Sequence, residues 1–267
     1  MKKYYKTLAA AFLCVTIIAC EKEEVEMNPD QADQSETIIQ NKSAETGGGI
    51  GGSLAQFTIV DGYLYTIDYK TLNIFDLSNP DAPAKTESMA MSVGMETVFH
   101  QDGMLYIGSN NGVRILDISD PIRPVEVSEF DHVTTCDPVV ANGEIAVATL
   151  RGGTECGGNL SQLDVIDLSN IYNPELIGEF ELVNPYGLGF SATQSNYIYV
   201  CDGYSGLKVF DISNPSNPTL SKSYENIEAL DVISSEEGLI VLGRDGIHQF
   251  DGTDPLNIIE KSVITVQ

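Results

Sequence analysis

Three acidic residues, Glu96, Asp137 and Asp231, each lie six or seven residues before a glycine that is typical of a tight turn. Carboxylates that face one another across a pocket can act as the acid and the base that flank a glycosidic bond. The corresponding places ahead of two further turns are held by Ala55 and Gly189, and the chain contains no Trp that would stack on a sugar. The pattern leaves glycan hydrolysis open beside three other roles, namely a solvated channel mouth, capping of backbone groups and weak binding of a cation.

A second set of carboxylates recurs along the chain at spacings of 41, 50, 44 and 40 residues. These are Asp76, Asp117, Asp167, Asp211 and Asp251. Equivalent positions of successive repeats lie far apart in an array, so these side chains cannot share one metal ion. Each Asp is followed two residues later by Ser or Thr, a pattern that favours a capped turn. We predict a structural role for all five.

The three histidines, His100, His132 and His248, neither cluster nor share a position in the repeats. The sequence contains no Ser-His-Asp arrangement, no Gly-rich phosphate loop and no HExxH motif. We therefore predict no catalytic residue, no metal site and no cofactor from these motifs.

Two of the cysteines are placed so that they could pair if the protein is exported to an oxidising compartment. Cys136 precedes the first strand of the third repeat, and Cys156 lies in an insertion of that repeat, residues 150–162. Both are expected at the same end of the repeat, which predicts a Cys136–Cys156 disulfide in an oxidising compartment. The alternative, a thiol or metal site, lacks CxxC spacing and a nearby His. Cys201 is predicted to be a buried free thiol.

The first twenty residues have the pattern of a lipoprotein leader. Three lysines precede an apolar run, Thr7–Ala19, which is too short to span a bilayer but suits a signal peptide. The end of the run, Ile17-Ile18-Ala19-Cys20, resembles a lipobox. The resemblance implies cleavage between Ala19 and Cys20 and a lipid anchor on the Cys20 sulfur. The alternative is an ordinary secretory leader with an incidental Cys.

Residues 20–52 are polar, acidic and Gly-rich, which predicts a flexible tether. The acidic run Glu21–Glu26 resembles the surface-export signal of Bacteroidetes-type lipoproteins, and the alternative is simply the start of a solvated tether. The resemblance implies an outer-membrane lipoprotein that faces the exterior of a Gram-negative bacterium. After cleavage, 11 basic and 39 acidic residues would remain, a net charge of −28. Such a charge disfavours nucleic acid as a partner.

The elements that position these residues are repeats of about 43 residues that span 53–267. Each contains two short apolar segments around a two-residue turn such as Asp61-Gly62, Asp102-Gly103 or Asn142-Gly143, with Ser195-Asn196 and Glu237-Gly238 as weaker forms. A motif follows that reads LKVFDISNPSNP at 207–218, and then another strand-like segment. Four antiparallel strands in each of five repeats predict an all-β, five-bladed β-propeller that closes into a ring.

The recurring Asp-[Leu/Ile/Gly]-[Ser/Thr] motifs, each preceded by a strand and in most repeats followed by prolines, resemble the LVIVD repeat of bacterial cell-surface proteins. The resemblance implies the propeller fold and a surface location, and no established activity. Loops at one face of a propeller commonly bind ligands, so we predict a ligand face there. Its candidate residues are Glu96, Asp137, Arg151, Glu155, Tyr186, Tyr204 and Asp231. The expected partner is an unknown protein or glycan, in addition to the membrane that holds the lipid.

Overall fold

The computed structural model describes residues 52–131, 138–153 and 159–266, and these form twenty β-strands and no helix. The strands are β1 Phe57–Val60, β2 Tyr63–Asp68, β3 Thr71–Asp76, β4 Ala84–Ala90, β5 Met95–Gln101, β6 Met104–Ser109, β7 Gly112–Asp117, β8 Val125–Asp131, β9 Val139–Asn142, β10 Ile145–Leu150, β11 Gln162–Asp167, β12 Glu175–Glu181, β13 Leu188–Phe190, β14 Tyr197–Cys201, β15 Leu207–Asp211, β16 Thr219–Tyr224, β17 Ala229–Ser235, β18 Gly238–Gly243, β19 Gly246–Asp251 and β20 Ile259–Thr265. None of the described residues belongs to a helix that could cross a membrane.

The strands form five four-stranded antiparallel sheets, each built from four consecutive strands. The first strand of each sheet, β1, β5, β9, β13 or β17, packs against the neighbouring sheets and is the innermost. The fourth strand is the outermost and the most exposed. This arrangement confirms the predicted five-bladed β-propeller, and we number the blades 1 to 5 in chain order.

In blades 1 and 2 the residues predicted to form the turn between the first two strands do form it. Asp61 and Gly62 have φ angles of 47° and 82°, and Val60 pairs with Tyr63 across them. Such positive angles are those of a type I′ turn, which matches the twist of the strands. In blades 3 and 5 the predicted turns are wrong by one residue. Asn142 pairs with Ile145, and Ser235 with Gly238, so the turn residues are 143–144 and 236–237.

The recurring motif forms the third strand of each blade and the corner that follows it. In blade 4 the Asp211 carboxylate accepts a hydrogen bond of 2.8 Å from the Ser213 amide, and this bond recurs in the other four blades at 2.7 to 3.1 Å. The bonds to Ser213 lower the pKa of Asp211 below its usual value. The predicted capping role of the five aspartates is confirmed.

Apolar side chains from neighbouring blades interlock between the sheets. We call the face of a blade that packs on the next blade its forward face, and the opposite face its rear face. Tyr199 and Leu207 on the forward face of blade 4, for example, share one core cluster with Val232 and Leu239 on the rear face of blade 5. Strands pack extensively between blades 1 and 2, 2 and 3, 3 and 4, and 4 and 5.

The forward face of blade 5 and the rear face of blade 1 do not pack in this way. Ile247 takes the place that Leu207 holds in blade 4, yet Ile247 is 41% exposed and Leu207 is fully buried. Phe57 takes the place that Val232 holds in blade 5, yet Phe57 is 57% exposed and Val232 only 2%. The prediction of a closed ring that buries every blade face is therefore wrong between blades 5 and 1.

We call these two exposed faces the open seam. Its blade 5 side consists of the paired rows Ile240–Gln249–Ser262 and Leu242–Ile247–Ile264, and its blade 1 side of the rows Phe57–Thr66–Asn73–Ser88 and Ile59–Leu64–Phe75. The residues that enter blade 1 lie across the axis instead. Ser53 is buried and bonds to the Leu188 amide at 2.7 Å, and the Ala55 carbonyl accepts a bond of 2.8 Å from the Val98 amide.

Candidate functional site

The propeller has two ends with different residues. The loops between second and third strands, and the connections between blades, lie at one end, which we call the loop face. The hairpins between first and second strands, and the corners of the recurring motif, lie at the other end, which we call the turn face. The candidate ligand residues that the structure describes belong to the loop face, namely Glu96, Arg151, Tyr186, Tyr204 and Asp231.

On the loop face the structure brings Arg151 and Tyr186 together. The Arg151 guanidinium carbon lies 4.1 Å from the centre of the Tyr186 ring, a cation–π contact. The Tyr186 carbonyl accepts a hydrogen bond of 2.5 Å from the Thr149 hydroxyl, which fixes the backbone beside the ring. The Tyr186 ring also packs closely against Gly203. The next residue, Tyr204, is 66% exposed. Three predicted residues therefore come from adjacent parts of blades 3 and 4.

A charged pair adjoins this group. Arg244 forms an ion pair of 2.6 Å with Glu228. This pairing is the main cause of a raised pKa of Arg244, and the Tyr186 hydroxyl is a smaller cause. Exposed apolar side chains also occur in loops of this face, namely Tyr69, Val93, Leu160 and Val183. Aromatic and guanidinium groups on an exposed face are typical of protein-binding surfaces.

Asp231 does not present its carboxylate to a ligand. Oδ1 accepts hydrogen bonds from the Val232 amide at 2.9 Å and from the Ser53 hydroxyl at 3.4 Å, and the Ser53 and Leu54 amides also bond to the carboxylate. Gly52 and Gly187 pack so closely that a Cβ on either would lie 2.1 Å from a carboxylate oxygen. Burial raises the pKa of Asp231 to about 6, even though these bonds oppose the rise. Asp231 thus caps the segment that enters blade 1.

Of the other predicted carboxylates, the structure describes only Glu96. Glu96 lies at a β-bulge between Met95 and Thr97, where β5 shifts its register against β6. Asp137 and Glu155 lie outside the described residues, as do Cys136, Cys156, Ala19 and Cys20. Among the residues that the structure describes, no group of three or more His, Cys, Asp or Glu side chains is arranged to hold a metal ion.

Cys201 is a free thiol in the core between blades 4 and 5, as predicted. It is completely buried, and the loss of solvent raises the pKa of its thiol well above the usual value. A thiol in this state is a poor nucleophile, because the thiolate is the reactive form.

Sequence reasoning missed a buried ion pair near the loop face. Asp202 is fully buried, accepts hydrogen bonds from the Val183 and Asn184 amides at 3.1 and 2.6 Å, and pairs with Lys208. Lys208 takes the second place of the recurring motif, a place held by Asn, Arg, Asp or His in the other blades. This variability was the only available signal, and it does not identify the partner.

Sequence reasoning also missed a cavity of about 460 Å³ at the axis, near the turn face. The innermost strands of blades 2 to 5 line it, and they contribute the rings Phe99 and Phe190 and the amide side chains of Gln101 and Asn142. Its hydroxyl groups are those of Ser191, Ser195 and Ser234. No Asp, Glu, Lys or Arg lines the cavity, so its walls are neutral and mixed in polarity when the one histidine is unprotonated.

That histidine, His100, lies between the axial cavity and a second cavity of about 470 Å³ beside blade 1. Burial lowers the pKa of His100, so the imidazole favours its neutral form. Nε2 accepts a hydrogen bond of 3.3 Å from the Gly103 amide. The proton of the neutral ring therefore belongs on Nδ1, which is buried and makes no hydrogen bond with the described residues.

The repeat pattern agrees with a known family. The family model described as LVIVD repeat matches residues 51–90, 101–132 and 192–226, which carry strands of blades 1, 2 and 4. The chain therefore carries LVIVD repeats in blades 1, 2 and 4. The matches include the recurring motif in each of these blades, so they support the sequence register from which the blades were predicted.

Solved structures share the fold of this chain at low sequence identity. A protein from Lactobacillus plantarum has a TM-score of 0.63 at 14% identity, with 78% of this chain and 74% of the other covered. A functionally unknown protein from Desulfotomaculum acetoxidans has a TM-score of 0.63 at 11% identity, with 83% and 70% covered. The periplasmic gluconolactonase PpgL of Pseudomonas aeruginosa has a TM-score of 0.60 at 12% identity, with 76% and 67% covered.

These likenesses show the fold and nothing further. About a quarter to a third of each of those three chains has no counterpart here. A comparison with curated proteins finds no match to this sequence.

Proposed function

We propose that this chain is a lipid-anchored protein of the outer membrane, facing the cell exterior of a Gram-negative bacterium, and that its propeller binds a glycan through the axial cavity. The observation that carries the proposal is the lining of that cavity, with two rings and several amide and hydroxyl groups. A protein partner on the loop face is the second candidate, favoured by the exposed aromatic and arginine group there.

The chemistry of the axial cavity suits a neutral sugar. Aromatic rings stack on the apolar faces of sugar rings, while amide and hydroxyl side chains exchange hydrogen bonds with sugar hydroxyls. A site without carboxylates or basic groups gives no preference for a charged ligand. Its volume, about 460 Å³, lies within the range of small-molecule sites. The proposal thus concerns the end of a neutral glycan chain, with one or two sugar units inside the cavity.

The leader supports the location. Cys20 directly follows the apolar run, and the acidic residues after it begin a polar stretch that reaches Gly52. Several acyl chains on one Cys give stable membrane attachment, because each buried methylene contributes about 0.8 kcal/mol. Replacement of Cys20 by Ser is expected to move the chain from the membrane to the soluble fraction. Persistence in the membrane fraction would contradict the anchor.

Hydrolysis of a glycan draws no support from the environment of Asp231. A general base needs a free lone pair toward water or substrate. The Asp231 oxygens instead accept bonds from the backbone and hydroxyl of the entering segment. We therefore propose a binding role for the propeller rather than a hydrolytic one.

The binding test compares Phe190→Ala with Tyr172→Ala. Phe190 lines the axial cavity, whereas Tyr172 is 74% exposed at the corner of blade 3 and serves as the matched aromatic control. Binding of a panel of neutral oligosaccharides is measured by calorimetry. Loss of one ring contact of about 1.4 kcal/mol predicts tenfold weaker binding for Phe190→Ala and no change for Tyr172→Ala. No binding by the unsubstituted protein, or equal loss in both variants, would overturn the glycan proposal.

A further inference from the structure

We propose that the open seam is an interface for a second copy of this chain, in which the forward face of blade 5 of one copy packs on the rear face of blade 1 of the other. The inference concerns an association surface and does not depend on the proposed glycan site. It rests on the exposure, the composition and the mutual complementarity of the two seam faces.

The exposure is specific to these two faces. The first residue of the motif strand is at most 1% exposed in blades 1 to 4, where Leu72, Val113, Leu163 and Leu207 hold it, whereas Ile247 is 41% exposed. Around Ile247, residues Ile240, Leu242 and Ile264 are 42%, 43% and 66% exposed. On the blade 1 side, Phe57 and Ile59 are 57% and 47% exposed. Contiguous apolar patches of this kind mark interaction sites.

The other blades show what covers such a face. In each of the four formed interfaces, the partner of a forward face is the rear face of another blade. The described residues contain one unpartnered forward face, on blade 5, and one unpartnered rear face, on blade 1. Both halves of an interface thus occur once in every copy. One such contact covers the blade 5 face of one copy and the blade 1 face of the other, and it is heterologous because it joins two different faces.

The charge distribution permits this contact. The chain carries a net charge of −25, and such a charge opposes association of like copies. Followed to their ends, the four seam rows carry two charged residues, Asp231 paired with Leu242 at the inner edge and Lys85 paired with Phe75 at the outer edge. The other polar members are Thr66, Asn73, Ser88, Gln249 and Ser262, which bear no charge. Association through the seam would bury apolar groups without bringing carboxylates together.

Closure of the seam within one chain is disfavoured by the entering segment. Residues 52–55 lie across the axis, where Ser53 bonds to blades 4 and 5 and Ala55 bonds to blade 2. Ser53 is 1% exposed, and the Asp231 carboxylate accepts hydrogen bonds from Ser53 and Leu54 of this segment. If blade 1 were to move onto blade 5, this segment would be expelled and its buried hydrogen bonds would be broken.

Disulfide trapping between two differently tagged full-length chains tests the proposal. One chain carries Phe57→Cys and the other Ile240→Cys, because the equivalent residues Val232 and Tyr199 share a core cluster between blades 4 and 5. Mild oxidation should link the two tags in a product of doubled mass. Two unsubstituted tagged chains control for the native cysteines, and Phe57→Cys with Leu220→Cys, 42% exposed on β16, controls for random collision.

Other outcomes of the same cross-linking experiment would contradict the proposed interface. If a single chain with both Phe57→Cys and Ile240→Cys forms only an internal link, the seam closes on itself and the proposal is wrong. If only the control pair links, or no pair does, the proposal is also wrong. Addition of Ile247→Asp should reduce the cross-linked yield at least tenfold. It should leave the thermal midpoint of the separated chain within a few degrees, whereas a large fall would indicate closure within one chain.

Discussion

Substitution of Asp231 by Asn should change how the stability of the propeller depends on pH. The carboxyl has an ordinary pKa of 3.8, and burial raises the pKa to about 6 in the folded chain. The folded state therefore binds the proton more tightly than the unfolded state. The stabilisation from this proton is complete below pH 3.8 and is lost as the pH rises through 6. Asn carries no titrating proton, so the variant lacks this loss.

The magnitude follows from the two pKa values. A difference between 3.8 and about 6 corresponds to at most about 3 kcal/mol, of which about 2 kcal/mol falls between pH 4.5 and pH 7.5. The free energy of unfolding of Asp231→Asn, minus that of the unsubstituted protein, should rise by this amount over the interval. The NH2 group of Asn cannot accept a hydrogen bond that a carboxylate oxygen accepts. Loss of that bond would lower the difference in unfolding free energy equally at every pH and would not change its slope against pH.

The assay is urea unfolding followed by tyrosine fluorescence at four pH values from 4.5 to 7.5, since the chain has 12 Tyr and no Trp. Asp211→Asn is the matched control. Hydrogen bonds lower the pKa of Asp211 and the side chain is mostly solvated, so its effect on pH dependence should appear only below about pH 4. A difference for Asp231→Asn that stays constant from pH 4.5 to 7.5 would refute the buried, proton-binding carboxyl.

Two further predictions concern the packing and the insertion. Leu207→Ala should cost about 2–5 kcal/mol in a urea melt, because Leu207 is fully buried, whereas Ile247→Ala should cost less than about 1 kcal/mol in dilute solution. Equal losses would contradict the open seam. The Cys136–Cys156 disulfide remains a prediction, and intact mass spectrometry should show the loss of two hydrogens under non-reducing conditions. Reduction should lower stability by about 3 kcal/mol, and free thiols at both Cys136 and Cys156 in the isolated protein would contradict the bond.

The amino-acid pattern was sufficient to predict the four strands of each blade and the corner after the third strand. Turn residues such as Asp61-Gly62, the apolar alternation and the capping Asp act over a few residues, so they predict hairpins and corners directly. The same local logic was off by one residue at Asn142 and at Gly238. At those positions the pairing of β9 with β10 and of β17 with β18 decides the register, and the preference of a single turn residue is overruled.

The candidate site was predicted less well. The sequence grouped Arg151, Tyr186 and Tyr204 by loop position, and the structure places them in adjacent parts of blades 3 and 4. The sequence also singled out Asp231. The hydrogen bond from the Ser53 hydroxyl to its carboxylate could not be predicted, because the two residues are 178 positions apart. The axial cavity escaped detection for a similar reason, since its lining comes from four innermost strands whose individual residues are ordinary.

The sequence by itself determined that the chain forms five similar four-stranded blades, because each blade depends on hydrogen bonds and turns between neighbouring segments. Only the tertiary structure decided how the blades come together. The angle between successive blades depends on the packing of side chains in four interfaces, and the entering segment lies across the axis. Their combined effect leaves Phe57 and Ile247 exposed at the seam and surrounds the Asp231 carboxyl with hydrogen-bond donors.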